Sequence, residues 1–242
     1  MPLIAPGDDL VAVASAALTG NDIRLEDGDI LVFCQKIVSK AEGRYVALGT
    51  VEPSERALAL AAETGRDPRH VEVVLREARD VVKVGPRVIV VAHRLGFVMA
   101  NAGIDESNIS HEGGSRVLLL PWDPDGAAAD LKRRLDAAHG VKIGVVINDS
   151  FGRPWRNGVV GVALGASGVP SLVDRVGAHD LFGRTLKVTE VAVADEIASA
   201  ASLLMGQADE GIPLVLVRGW RSVDAARPAA ALIRDRERDM FR

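Results

Sequence analysis

A chain of 242 residues that is 48% apolar and 26% charged can bury a sizeable core, which excludes disorder except at its ends. A net charge of -4 argues against a general nucleic-acid binder, which carries a basic domain, but leaves room for a local basic pocket. No apolar run reaches the roughly 18 residues of a membrane span, and Asp8 and Asp9 interrupt what would pass for a signal peptide, so the expected location is cytoplasmic.

The first strong apolar run, DILVFCQKIV (29–38), is short and β-branched and predicts a strand. Cys34, the single cysteine, has no internal disulfide partner and reads as a small buried hydrophobe. Lys36 and Lys40 follow at a spacing of four, with Ser39 between them and Gly43 permitting a turn. On a strand that spacing shares a face, so the two ammonium groups either converge on a polyphosphate or stand solvated at an exposed strand end. Helical periodicity covers 53–64 and 69–82, and RVIVVA (87–92) predicts a strand.

The polar loop NAGIDESNIS (101–110) places Asp105 and Asn108 three apart. These residues suit a cation and a base or sugar contact, or simply an Asx-rich turn. RVLLLPW (116–122) predicts a strand, and 124–138 a helix with Asp123 as N-cap, Pro124 at its first position and Gly140 past its end. VKIGVVI (141–147) predicts a buried strand that runs out into NDSFGRPWRNG. Asp149 and Ser150 there offer two oxygens to a hard cation, and the forks of Arg153 and Arg156 match phosphate oxygens. The alternative is an Asp-capped turn with surface ion pairs.

Glycines at 158, 161, 165 and 168 permit close backbone approach to a ligand or another chain, with packing as the plainer reason. A helix over 190–205 ends at Gly206, and MGQADEGIP (205–213) then carries Gln207, Asp209 and Glu210 into a strand at 212–220. That loop either binds metal or base, or connects helix to strand. The charged end, IRDRERDMFR, reads as a solvated helix or tail.

The irregular alternation predicts an α+β fold with mixed sheets and packed helices, as one domain over 1–242 or two lobes divided near 80–125. A phosphate-binding G-x-x-x-x-G-K-[ST] loop, a G-x-G-x-x-G turn, zinc-type Cys/His spacing and a nucleophile elbow are all missing.

In this order, PGDDL, SKAEGR, NAGIDESN, NDSFGRPWRNG, VTEVAVADEIA and GQADEG resemble the coenzyme F-420:L-glutamate ligases over nearly the whole chain. The resemblance implies a GTP-dependent ligase that adds L-glutamate to coenzyme F-420-0, and then gamma-linked glutamates, through an acyl phosphate. It implies Mg or Mn, a monovalent cation such as K, and an intertwined homodimer with no nucleic-acid or membrane partner. Metal ligands would be Asp105, Asp149, Ser150 and Gln207. GTP contacts would be Leu3, Ile4, Gln35, Lys36, Lys40, Asn108 and the segment Met205, Gly206, Gln207, Ala208, Asp209, Glu210, Gly211 and Ile212. Lys36, Lys40 and Arg153 would position and stabilise the transferring phosphoryl group. Glu190 or Glu210 would take the amine proton, and Trp155 reads first as a core side chain, second as a stacking surface.

Gln35 stands where relatives have serine, and Ser150 where they have threonine. Relatives also carry a strand ahead of their GLP segment, so about ten upstream codons are expected to encode an apolar strand that covers a sheet edge. Two rival activities share these residues: a metal-dependent phosphohydrolase, and a module that binds GTP without turnover.

Overall fold

The computed structural model describes residues 1–111 and 113–240. Its first helix, α1 (Leu10–Gly20), is capped by the Asp9 carboxylate, which accepts the N–H of Val11 at 3.0 Å. β1 (Ile30–Cys34) follows and passes without a break into α2 (Gln35–Ala41) and then β2 (Tyr45–Ala47). The strand expected over 29–38 therefore stops at Cys34, and Lys36 and Lys40 lie on a helix. Their spacing of four still puts them on one face, now because a helical turn takes about 3.6 residues.

Two helices, α3 (Glu55–Thr64) and α4 (Pro68–Glu77), cover the antiparallel sheet of β3 (Ala78–Gly85), β4 (Val88–His93) and β5 (Val98–Ala100). The helix expected over 69–82 ends at Glu77, because Ala78 is already extended and ARDVVKVG pairs with β4. β6 (Arg116–Leu118) pairs with β2 and is shorter than the run that predicted it. α5 (Pro124–His139) has the caps read from the sequence: Asp123 Oδ1 accepts the N–H of Gly126 at 3.0 Å, and Gly140 takes a φ of 68°.

The remaining elements are β7 (Gly144–Arg153), β8 (Arg156–Ser167), β9 (Val173–Asp174), β10 (Glu190–Val191), α6 (Val193–Met205) and β11 (Leu214–Val217). The main sheet has the order β11-β1-β7-β8; β1 and β7 are parallel and the other neighbours antiparallel. Leu31, Phe33, Val145 and Ile147 pack on α1 and α5, while Val32 and Val146 pack on α6. Burial on both faces is why these strands read as unbroken apolar runs. The expected mixed α+β fold is the one observed.

β1 and β7 end together, with Cys34 beside Asn148. The carboxyl end of a parallel strand pair leaves a crevice where neither backbone continues the ladder. Beyond it, residues 149–153 pair only with β8, as a two-stranded ribbon. Pro154 and Trp155 make its turn; Trp155 has a φ of 58° and is 82% exposed, so it is not a core side chain. The plain reading of the glycines holds where β8 crosses the helices: a Cβ at Gly161 would overlap the carbonyl of Ala198 on α6, and one at Gly165 that of Pro124 on α5. The charged end contains a short 3-10 turn, Arg236–Arg238, and is exposed around it.

Candidate functional site

Three segments meet at the end of the parallel pair. Asp105 is fixed by its backbone, which exchanges two 2.9 Å hydrogen bonds with Leu118 of β6. Its carboxylate takes the Lys36 ammonium at 2.7 Å and the Gln35 amide at 2.5 Å. Gln35 is itself buried and held from behind by the Ser39 hydroxyl, which donates to its Oε1 at 2.9 Å. Gln35 thus tethers Asp105. Lys40 donates to the carbonyl of Asn108 at 2.7 Å, and the Asn108 amide donates to the carbonyl of Ala208 at 2.7 Å. The lysine helix, the Asp105 loop and the loop after α6 are therefore joined in one chain of contacts.

Asp149 follows Asn148 on β7, one step past the paired end of β1. Burial, reinforced by the negative charge of Asp105 and only partly offset by Lys36, raises its pKa to about 7. Burial pulls the Lys36 ammonium down, but Asp105 and then Asp149 carry it above the ordinary lysine value. Lys40 lies below that value because of burial, with Lys36 adding like-charge repulsion. The charges of Asp105 and the half-buried Asp149 act on each other and call for more positive charge than Lys36 supplies.

A hard divalent cation fits that demand. No three His, Cys, Asp or Glu side chains gather into a cluster among the described residues, so Asp105 and Asp149 would hold it together with water and substrate oxygens, as Mg prefers. The strand divides the other expected ligands. Ser150 pairs with Gly161, whose absent Cβ points at α6, whereas Asp149 pairs with Val162 on the opposite face. Ser150 is thereby presented toward the α6 side. Gln207, just past the end of α6, donates to Ser202 of that helix at 3.0 Å.

The loop after α6 is a nest of backbone amides. Its Glu210 carboxylate accepts the N–H of Ala208 at 2.8 Å, and the amides of Ala208, Glu210 and Gln207 hold it below the usual carboxylate range. A group so stabilised as an anion is a poor base, and it occupies a place shaped for a phosphate oxygen. Glu190 lies exposed on β10, and no described contact joins it to this cluster. At the ribbon end Arg153 donates to the carbonyl of Asn157 at 3.3 Å, its Nε buried without a partner. Arg153 also stands directly across from Arg156. Like charges in that register repel, and an anion between them relieves the repulsion. Ile4 is committed to the core, which leaves only its backbone for a ligand, while Leu3 is exposed.

Sequence reasoning missed the support of the Asp105 loop. Glu106 takes Arg66 at 3.2 Å and the buried His70 of α4 at 3.0 Å, tying the loop to that helix. It also missed Asn148, buried against Met205 at 3.3 Å between the strand end and the last residue of α6. Neither has a local signal, because each partner comes from a distant part of the chain. Cys34 is half-buried beside the site, and burial pushes its thiol up.

Fold and site together define an α+β protein whose parallel strand pair ends at a crevice lined by two lysines, two carboxylates and the backbone amides of the loop after α6. Residues 1–219 match the family described as F420-0:Gamma-glutamyl ligase, and the chain belongs to that family. It is 51% identical to the coenzyme F420:L-glutamate ligase of Methanopyrus kandleri over 99% of this chain and 93% of the relative. The corresponding ligase of Methanothermobacter thermautotrophicus is 48% identical, over 100% of this chain and 96% of its own length. That of Archaeoglobus fulgidus is 46% identical over 100% and 93%. The resemblance read from the ordered motifs is borne out.

Proposed function

We propose that this protein is a GTP-dependent ligase that joins L-glutamate to coenzyme F-420-0 and then extends the product through gamma linkages. The carrying observation is the convergence of Lys36, Lys40, Asp105 and Asn108 with the amide nest at 207–210, beside the half-buried Asp149. That arrangement suits a nucleotide triphosphate: ammonium groups and backbone amides for its oxygens, and carboxylates for the cation that accompanies it.

Amide formation from a carboxylate needs a better leaving group than oxide. The acceptor carboxylate oxygen takes the gamma-phosphoryl group of GTP, the bond to the beta-phosphate oxygen breaks, and GDP leaves. The glutamate amine then attacks the acyl carbon, phosphate departs with the former carboxylate oxygen, and the nitrogen loses a proton. When bound, Mg or Mn would neutralise charge on the transferring group, held by Asp105 and Asp149, with Ser150 and Gln207 offering oxygens from the α6 side. Lys36 and Lys40 orient the phosphates. Arg153 stabilises the anion at the ribbon end.

We also take the active form to be a homodimer. Leu181, Phe182 and Val188, between β9 and β10, are 99%, 91% and 85% exposed, a large apolar surface for a second copy to cover.

Incubation with acceptor, glutamate, GTP and Mg or Mn, followed by mass spectrometry, tests the reading. Products heavier by glutamate units, with phosphate released only when both acceptor and glutamate are present, support it. Phosphate released from GTP and water alone would make the protein a hydrolase. Binding with no release would make it a sensor.

A further inference from the structure

The resemblance implies a nucleotide contact at Gln35, yet the side chain there has both of its polar ends engaged within the protein. Its amide nitrogen donates to Asp105 Oδ2 at 2.5 Å, and its Oε1 accepts the Ser39 hydroxyl at 2.9 Å. Gln35 is 1% exposed, and Ser39 is fully buried one helical turn further along α2. A carboxamide can be turned end for end, but the reverse orientation sets its carbonyl oxygen against a carboxylate. Only one orientation is attractive, and the Ser39 hydroxyl donating to Oε1 fixes the same one.

Asp105 is held at three points. Its backbone exchanges two hydrogen bonds with Leu118, which fixes the main chain but leaves the carboxylate free to turn. Oδ1 meets the Lys36 ammonium at 2.7 Å, and Oδ2 meets Gln35. These two partners differ in kind. Lys36 keeps 21% of its side chain in solvent, on a flexible four-carbon stem, and its charge cancels the charge that a divalent cation needs. Gln35 is enclosed and neutral, so it orients the carboxylate without reducing its charge.

We propose that Gln35, braced by Ser39, is a positioning residue that holds the Asp105 carboxylate in the orientation in which it takes the divalent cation, while Lys36 is the partner that gives way. The inference rests on the ligase reading above, which puts a cation at Asp105. Outer partners of this kind orient a metal ligand and tune its affinity. The role also separates Gln35 from the nucleotide, because only its backbone is left to meet a phosphate. Ser39 acts by fixing the far end of the amide. Without it a buried carbonyl oxygen stands unpaired, and the amide is free to turn away from Asp105.

Mn is titrated into the nucleotide-free full chain, and the free ion is read by electron spin resonance. Gln35→Met keeps the length and bulk of the side chain but removes both polar ends, and the Ser39 hydroxyl can then turn to the carbonyl one helical turn back. This variant is expected to bind Mn about tenfold more weakly or worse, the usual cost of losing an outer partner, with its metal-free melting temperature held. Its turnover should fall at limiting Mn and return with excess Mn, at the parent's KM for GTP. Mn affinity equal to the parent's overturns the proposal. So does a GTP KM that stays raised under excess Mn, because that marks a side chain touching the nucleotide. Should Gln35→Met fail to fold, Ser39→Ala frees the amide instead; a smaller loss of Mn affinity is expected, and no loss overturns the role. A parent that binds Mn but joins no glutamate sinks the ligase reading alone, since the Mn titration still decides what Gln35 does. A parent that binds no Mn sinks this inference, and glutamate addition then decides the ligase reading by itself.

Discussion

Asp149 carries the sharpest expectations at the scale of single residues. Its folded pKa of about 7 lies above the ordinary 3.8, so between those values the folded chain binds a proton that the unfolded chain has released. Without metal, stability should therefore fall as pH rises through that window. A cation that displaces the proton binds better as pH rises toward 7 and above. Mg should raise the melting temperature more at pH 8 than at pH 6 in the parent. In Asp149→Asn it should do so at neither, with turnover lost and the fold kept. A variant that still turns over would end the assignment. Lys36→Ala and Lys40→Ala should each weaken GTP binding and flatten its salt dependence. A titration unchanged in both would return them to solvated helix residues. Glu210→Ala should do the opposite: with the competing carboxylate gone from the amide nest, nucleotide affinity should rise. A loss of affinity would mean that Glu210 itself contributes to the site.

At the scale of elements, the crossing from α4 to β3 is held by one buried carboxylate. Glu77 takes Arg44 and Arg94 at 3.0 Å each, with His93 at 3.4 Å. Burial alone would raise its pKa, but His93 and the two guanidinium groups bring it from 4.5 down to about 2. The stabilisation is present above pH 4.5 and is lost as pH falls toward 2, amounting to about 3 kcal/mol. Glu77→Gln should cost about 3 kcal/mol at neutral pH, because it leaves the buried Arg44 and the half-buried Arg94 with one partner fewer. It should also remove that part of the acid transition, as read by denaturant melts at several pH values. A neutral-pH loss under about 1 kcal/mol would show the cluster to be dispensable.

The whole molecule poses the question of the second copy. Leu181 and Phe182 stand out in solvent between β9 and β10, and the sheet to which those short strands belong has only two members. Two-stranded ribbons are marginal by themselves. Phe182→Asp should therefore halve the mass seen by light scattering, provided that the parent is a dimer through this segment. Equal mass for parent and variant would place any dimer contact elsewhere.

The sequence by itself determined the long elements and their ends, because caps and periodicity are local. The Asp123–Pro124 start and Gly140 stop of α5 sit where the residues place them, and the buried runs at β1 and β7 are strands. The ordered motifs also carried the family. What only the tertiary structure decided was which way those residues face. Lys36 and Lys40 turned out to be helical because β1 ends where its parallel partner β7 leaves it for the ribbon with β8. Residues 78–85 became a strand because β4 pairs with them. Trp155 went to a ribbon tip, where no packed layer covers it. Strand alternation set Asp149 on the face of Val162 and Ser150 toward α6. Each of these turns on a pairing between segments far apart in the chain, and such pairings are decided when the sheet forms.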